Sequence, residues 1–316
     1  SVLDTPRRMA SLGAGPYLGQ PLPGSTPEPF APGVVSTGLH TRDVAMMPDG
    51  SEIYFSVVVG RYERSAIAVV RRLENRWTAP EIAPFSGNPK HHDLEPAIAP
   101  DGSRLLFMSD RPKGPGAEPN HDLWAVNREG DGWGEPYNLG PPVSSEASEY
   151  FPSLTTDGTL YLTRSAPDDP VHRILRARWV DGAFTEPEEL PEQVNVGANR
   201  FNAFIAPDES YLIVPAMGRE DSIGGADYYV VYRSPEDEWS EPVHLPAPIN
   251  SAAQQEYSPF VSPDGAVLFF MTDRGPKTSE RLTYETMHKL HTSPHSGSPT
   301  IYWVDAAIVE TLRPEL

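Results

Sequence analysis

The residue types able to do acid–base or metal chemistry gather in a few short segments. The densest is His91-His92-Asp93-Leu94-Glu95. Neutral imidazoles and carboxylates are ligands for Zn²⁺ or Mn²⁺, and a carboxylate can orient a ligating His. Adjacent side chains on a strand point to opposite sides, so at most one of the two histidines joins Glu95. The candidate set is His92 and Glu95, with His40 as a second imidazole. A divalent metal (Zn, Mn or Ca) is the one cofactor this set suggests; the plain alternative is a solvated loop with a salt-bridged Glu. A second pair, His288 and His291, lies in Ser279–His291, which reads as a helix capped by Ser279. At i, i+3 the two could share a metal or simply face solvent.

Asp43, Glu95, Glu149 and Glu256 form a set of carboxylates, with Asp93 nearby. Cleaving a glycosidic bond needs one protonated acid and one carboxylate on opposite sides of the sugar. Tyr62, Tyr150, Phe151, Phe201 and Tyr257 could stack on such a ring or pack against one another. Arg164 and Arg200 could hold an anionic ligand, as could Arg219, or they could pair with Glu149 and Glu256. Asn199, Asn202 and Gln255 add neutral hydrogen-bonding groups. Other chemistries are excluded. With 0 Cys there is no thiolate nucleophile or disulfide. There is also no G-x-S-x-G, no G-x-x-x-x-G-K-[ST] and no H-E-x-x-H.

An internal repeat supplies the elements that must position these residues. Pro48-Asp49-Gly50, Pro100-Asp101-Gly102, Thr156-Asp157-Gly158, Pro207-Asp208-Glu209 and Pro263-Asp264-Gly265 lie 51 to 56 residues apart. Trp77-Thr78-Ala79-Pro80, Trp133-Gly134-Glu135-Pro136, Phe184-Thr185-Glu186-Pro187 and Trp239-Ser240-Glu241-Pro242 keep step, each aromatic 23 or 24 residues before the next turn marker. Each unit reads as four strands, A to D; in the second these are Glu95–Ala99, Arg104–Met108, Asp122–Asn127 and Trp133–Leu139. The Asp-Gly pairs are hairpin turns, and the prolines of strand D suit an edge. Four antiparallel strands per unit, five times over, predict an all-β fold, a five-bladed β-propeller.

The last unit lacks a strand D, and Ser25–Phe30 resembles one, so the N-terminal segment is expected to close the ring. The expected organisation is an N-terminal arm over 1–24 and a single propeller over 25–316. A lid-like helical insertion is expected at about 276–299, and a short helix at Asp305–Leu312. Aligned strands A give a large aliphatic column (Met46, Ile98, Leu154, Ile205, Val261) and a mostly small one (Met47, Ala99, Thr155, Ala206, Ser262), the latter suited to a crowded axis. Conformity stops at Asp43, Glu95, Phe151, Asn202 and Ser258, and at the positions just before them. Such positions are free to serve one site at the channel mouth, where the D–A and B–C loops converge. Eight of the nine histidines fall in those loops.

The P-D-G turns, the W-x-E-P strands, and Ser109-Asp110-Arg111 with Thr272-Asp273-Arg274 after strand B resemble WD40-like β-propeller (PD40) repeats of TolB-like bacterial exported proteins. Asn202–Tyr211 and Ile301–Asp305 look similar to blades of that group. The resemblance implies a propeller exported to the periplasm or secreted. Because the Asp-Arg pairs recur in two blades, they are expected to be structural.

A net charge of −19 argues against nucleic acid as a partner, and no apolar run is long enough to span a bilayer. The chain starts at Ser1 and its first methionine is Met9, as expected of a processed product whose targeting segment is gone. A monomer is expected. Two functions fit: binding of a saccharide, peptide or partner protein at the mouth, or a carbohydrate-active hydrolase or lyase, possibly metal-assisted, at the same place.

Overall fold

In the computed structural model, which describes residues 13–116, 118–276, 279 and 281–315, the repeat becomes five small antiparallel sheets around one axis. Blade 1 is His40–Met46, Glu52–Val59, Arg64–Arg71 and Glu81–Ile82, from the axis outwards. Blade 2 is Asp93–Ile98, Arg104–Ser109, Asp122–Glu129 and Tyr137–Asn138; blade 3 is Ser148–Leu154, Leu160–Ser165, Arg173–Ala177 and Glu188–Glu189. In blade 4 the inner strand comes in two pieces, Asn199–Arg200 and Phe204–Ile205, followed by Tyr211–Met217, Asp227–Tyr232 and Val243–His244. Blade 5 is Glu256–Val261, Val267–Thr272, Thr300–Asp305 and, outermost, Glu28–Pro29.

The turn markers act as their chemistry requires. Asp49, Asp101, Asp157, Asp208 and Asp264 each accept a hydrogen bond from the backbone N–H two residues on, at 2.9–3.1 Å. Glycine takes the left-handed position in four of the five turns; Glu209 takes it in the fourth at φ 64°. That departure has a reason. The Glu209 carboxylate accepts from Tyr161 Oη at 2.6 Å and pairs with Arg178 at 2.7 Å and Arg233 at 3.1 Å.

Five apolar cores lie between neighbouring blades, and the strand D aromatics serve them. Trp133 reaches back to blade 1 and donates from Nε1 to Tyr54 Oη at 2.8 Å. Trp77, Phe184 and Trp239 pack backwards in the same way. Blade 5 has no such aromatic. The C-terminal helix Ala307–Thr311 replaces it, setting Ile308, Val309 and Leu312 against Tyr211 and Tyr232 of blade 4. The whole aliphatic column lines the lower axis, joined by Ala99 alone of the small column. Two members of the small column, Thr155 and Ser262, instead brace the turns by donating to Asp157 and Asp264.

The N-terminal strand closes the ring as expected, with Glu28 opposite Trp303 and Pro29 opposite Tyr302. Phe30, fully buried, meets Phe269 and Trp303 edge-on at 4.9 and 5.0 Å. From Gly13 on, the arm extends this seam. Tyr17 and Leu18 are buried, Tyr17 Oη donates to Asp264 at 2.7 Å, and Trp77 Nε1 donates to Gly15 O at 2.8 Å. The arm's residues 1–12 lie outside the described residues. No described helix is long and apolar enough to cross a membrane.

Phe30→Ala removes the keystone of the seam and leaves a cavity in a close-packed aromatic cluster. It should cost about 3–5 kcal/mol, read as a lower urea midpoint with an unchanged slope.

Candidate functional site at the channel mouth

The column at which the repeats part company in sequence is where their backbones agree most closely. Asp43, Glu95, Phe151, Asn202 and Ser258 all have positive φ, from 49° to 61°, and all are buried. In four blades the A–B pairing slips at this point, a bulge that turns the side chain towards the axis. Left-handed geometry in non-glycine residues costs about 1–3 kcal/mol each and persists only where the surroundings enforce it. Here the enforcement is a polar cluster across the axis. Asn202 Nδ2 donates to Ser258 Oγ at 3.1 Å, Ser258 Oγ donates to Asp43, and Phe151 N–H donates to Glu95 Oε2 at 2.8 Å.

Arg42 completes the cluster. Its Nε bonds Asp43 at 2.8 Å, Nη2 bonds Glu95 at 2.7 Å, and Nη1 bonds Tyr62 Oη at 2.9 Å. One guanidinium thus bridges both carboxylates, all three groups being buried. Burial pushes the Glu95 carboxyl up to about 7 against the pull of Arg42. Arg42 was missed by the sequence reading. Its signal was there, as the one charge in a column otherwise made of Leu94, Tyr150, Phe201 and Tyr257.

Above this floor lies a cleft of about 440 Å³ built from blades 1, 2 and 3. Its polar wall includes Arg42, Glu95, His92, Asp110 and His121; Tyr62 and Tyr150 are its rings. Asp110 holds His92 twice, accepting from its backbone N–H at 2.6 Å and meeting its Nδ1 at 2.7 Å, which raises the imidazole's pKa. The equivalent Asp273 clamps the Gln254 and Gln255 N–H groups at 3.0 Å. The repeated Asp is therefore a brace for the D–A loop, and in blade 2 it also faces the cleft. Around the remaining rim Tyr150 bonds His172, and Phe201 meets Tyr257 edge-on at 4.6 Å.

The other sequence candidates are held elsewhere. Glu149, fully buried, bonds Arg164 at 2.8 Å and both Oγ and N–H of Ser145. Glu256, also fully buried, bonds Arg274 at 3.0 Å and Ser251 Oγ at 2.7 Å. Asp93 bonds Arg111 at 2.8 Å in the same fashion. These are three copies of one internal ion pair, and the structure does not bring Glu149 or Glu256 into the cleft. Arg200 donates to the carbonyls of Val196, Gly197 and His172, and Asn199 accepts from His172 N–H, so both brace loops. Asn202 belongs to the axial cluster, and Gln255 is half-buried beside Asp273.

His40 is half-buried against Tyr62, and burial with the nearby Arg42 lowers its pKa to about 4. Among the described residues no three His, Asp or Glu side chains converge as a metal would require, so His40, His92 and Glu95 are not assembled into a ligand set. The insertion also differs from expectation. Its helix is Tyr284–His291, capped by Thr283 rather than Ser279. It flanks a separate cleft beside the outer strand of blade 5, and among the described residues none of it lines the mouth cleft.

No model of a protein family matches the sequence, and no curated protein matches it. Solved structures do resemble it. TolB from Acinetobacter baumannii is 13% identical with a TM-score of 0.46, over 84% of this chain and 57% of that one. A GH62 hydrolase in complex with xylotriose is 10% identical with a TM-score of 0.48, over 92% and 97%. An oligogalacturonate lyase in complex with manganese is 13% identical with a TM-score of 0.43, over 83% and 64%. The chain therefore spans a little over half the length of TolB.

Removing the shared cation should be costly in a pH-dependent way. Arg42→Ala leaves buried carboxylates uncompensated and should lose about 3–5 kcal/mol at pH 8. The Glu95 carboxyl, ordinarily near 4.5, sits near 7 in the folded chain. It holds its proton more tightly folded than unfolded, so the stability it contributes is present at acid pH and lost as pH rises from 4.5 through 7. Without Arg42 that window moves higher still. Urea unfolding should therefore show a smaller loss at pH 5 than at pH 8, and an equal loss at both would contradict this electrostatic account.

Proposed function

We propose that the chain is an exported propeller that binds a small saccharide in the mouth cleft. The observation that carries this reading is the lining itself. Two tyrosine rings face a wall of Arg, Glu, Asp and His groups within about 440 Å³, a volume in the range of small-molecule sites. Aromatic faces stack on the C–H faces of sugars while charged and imidazole groups bond hydroxyls. The PD40-like markers support export. A cleft of this size favours a small ligand over a partner protein.

A hydrolase or lyase reading has one specific observation in its favour: the His92–Asp110 pair shares the cleft with Glu95, whose pKa is near neutrality. Such environments suit proton transfer at physiological pH. Paired Asp43 and Glu95 carboxylates do not suit it, because the Arg42 guanidinium stands between them.

Calorimetric titration with mono- and disaccharides should detect binding, weakened at least tenfold by Tyr62→Ala. Short peptides binding in place of sugars would change the ligand class, and no binding of either would sink the proposal. If the site is catalytic, His92→Ala should abolish release of reducing ends or unsaturated product while leaving affinity within about threefold. Absence of turnover by the intact chain on every sugar it binds would leave the binding reading alone.

A further inference from the structure

Below the axial cluster the channel changes character. A cavity of about 220 Å³ opens there towards the A–B turns, walled by the aliphatic column and by Phe151, Phe204 and Phe260. Its rim is formed by the turn prolines Pro48, Pro100, Pro207 and Pro263. It shares no lining residue with the mouth cleft, and the axial cluster separates the two.

Three features leave the side-chain lining of this cavity almost wholly apolar. Pro96, Pro152 and Pro259, each directly after a left-handed residue, have no N–H to offer. Among the described residues Ser153 is the only lining residue with a polar side chain, and its Oγ already accepts the Ile205 N–H at 3.0 Å. The polar groups of the ceiling bond one another and Arg42. Cavities of about 150 Å³ with apolar walls admit benzene or xenon.

Phe151 adds an independent sign. The other four blades put Asp, Glu, Asn or Ser at the left-handed position, while blade 3 puts an aromatic there at φ 49°. A bulky residue in that conformation is an outlier maintained at a cost. What it supplies is an aromatic wall for the lower cavity.

We infer that the lower axial cavity is a second binding site, specific for a small uncharged aromatic or alicyclic ring and independent of the mouth cleft. Xenon and benzene are the probes. Crystals under xenon pressure should show a xenon atom on the axis below Phe151. Benzene should raise the thermal midpoint saturably, as a ligand of the folded state does. Ala97→Phe, whose new ring occupies the cavity, should abolish both effects with an unchanged circular dichroism spectrum. If that variant does not fold, Phe151→Asn tests the same point by removing the aromatic wall, and benzene should then bind at least tenfold more weakly. An ordered water chain in the cavity, no xenon on the axis, or a benzene effect unchanged in a folded variant would each overturn the inference.

Discussion

Five inner strand edges meeting at one axis set the constraint on which the rest of this molecule depends. Each inner strand has a hydrogen-bonded neighbour on one side only, which leaves its other edge to be satisfied from across the axis. The chain solves this with side-chain oxygens from adjacent blades. Ser56 Oγ accepts from Glu95 N–H at 2.9 Å, Glu95 from Phe151 N–H at 2.8 Å, Thr163 from Asn202 N–H at 3.0 Å, and Ser153 from Ile205 N–H at 3.0 Å. Proline removes three further donors. The left-handed residue in every inner strand is the geometric consequence, because the bulge re-aims the strand where the blades crowd. The mouth cleft and the lower cavity are the two halves of a channel that this plug divides.

Much of the fold was legible because it is periodic. The turn markers and strand D aromatics gave blade number, strand order and the closing role of Glu28–Pro29. The site was legible only in part. Disagreement between repeats pointed to the axial column, and His92, Glu95 and Tyr150 line one cleft. Yet disagreement does not separate a residue that faces a ligand from one that satisfies its neighbours. Asn202 and Ser258 vary because the cluster is asymmetric, with each blade supplying a different partner to the same guanidinium or carboxylate. Nor does sequence reveal that five unlike residues share one backbone conformation, since nothing in Asp, Glu, Phe, Asn or Ser announces a positive φ. The carboxylates Glu149 and Glu256 were equally opaque. Their arginines come from the strand B ends, and only the folded register brings the two together.

Charge is handled locally throughout. A chain of net charge −19 could be expected to spread its carboxylates over the surface, yet several are fully buried beside an arginine. Each such pair ties a D–A loop to the adjoining strand B, fixing the loops that form the mouth. The buried ion pairs therefore act on geometry first. Their net energetic value is modest once desolvation is counted, but the cost of breaking one keeps each loop in a single arrangement.

The seam in blade 5 also bears on how the molecule comes into being. Its outer strand is drawn from residues 28–29 and its third from residues 300–305, so the pairing spans nearly the whole chain. As the polypeptide emerges from the ribosome, the first four blades can form in order while the segment around Phe30 has nothing to pair with. Until Thr300–Asp305 appears, that early strand stays unpaired and the apolar face of blade 1 is incompletely covered. Ring completion is thus a late, long-range event with a high entropic barrier, and an incomplete ring offers open edges to other chains.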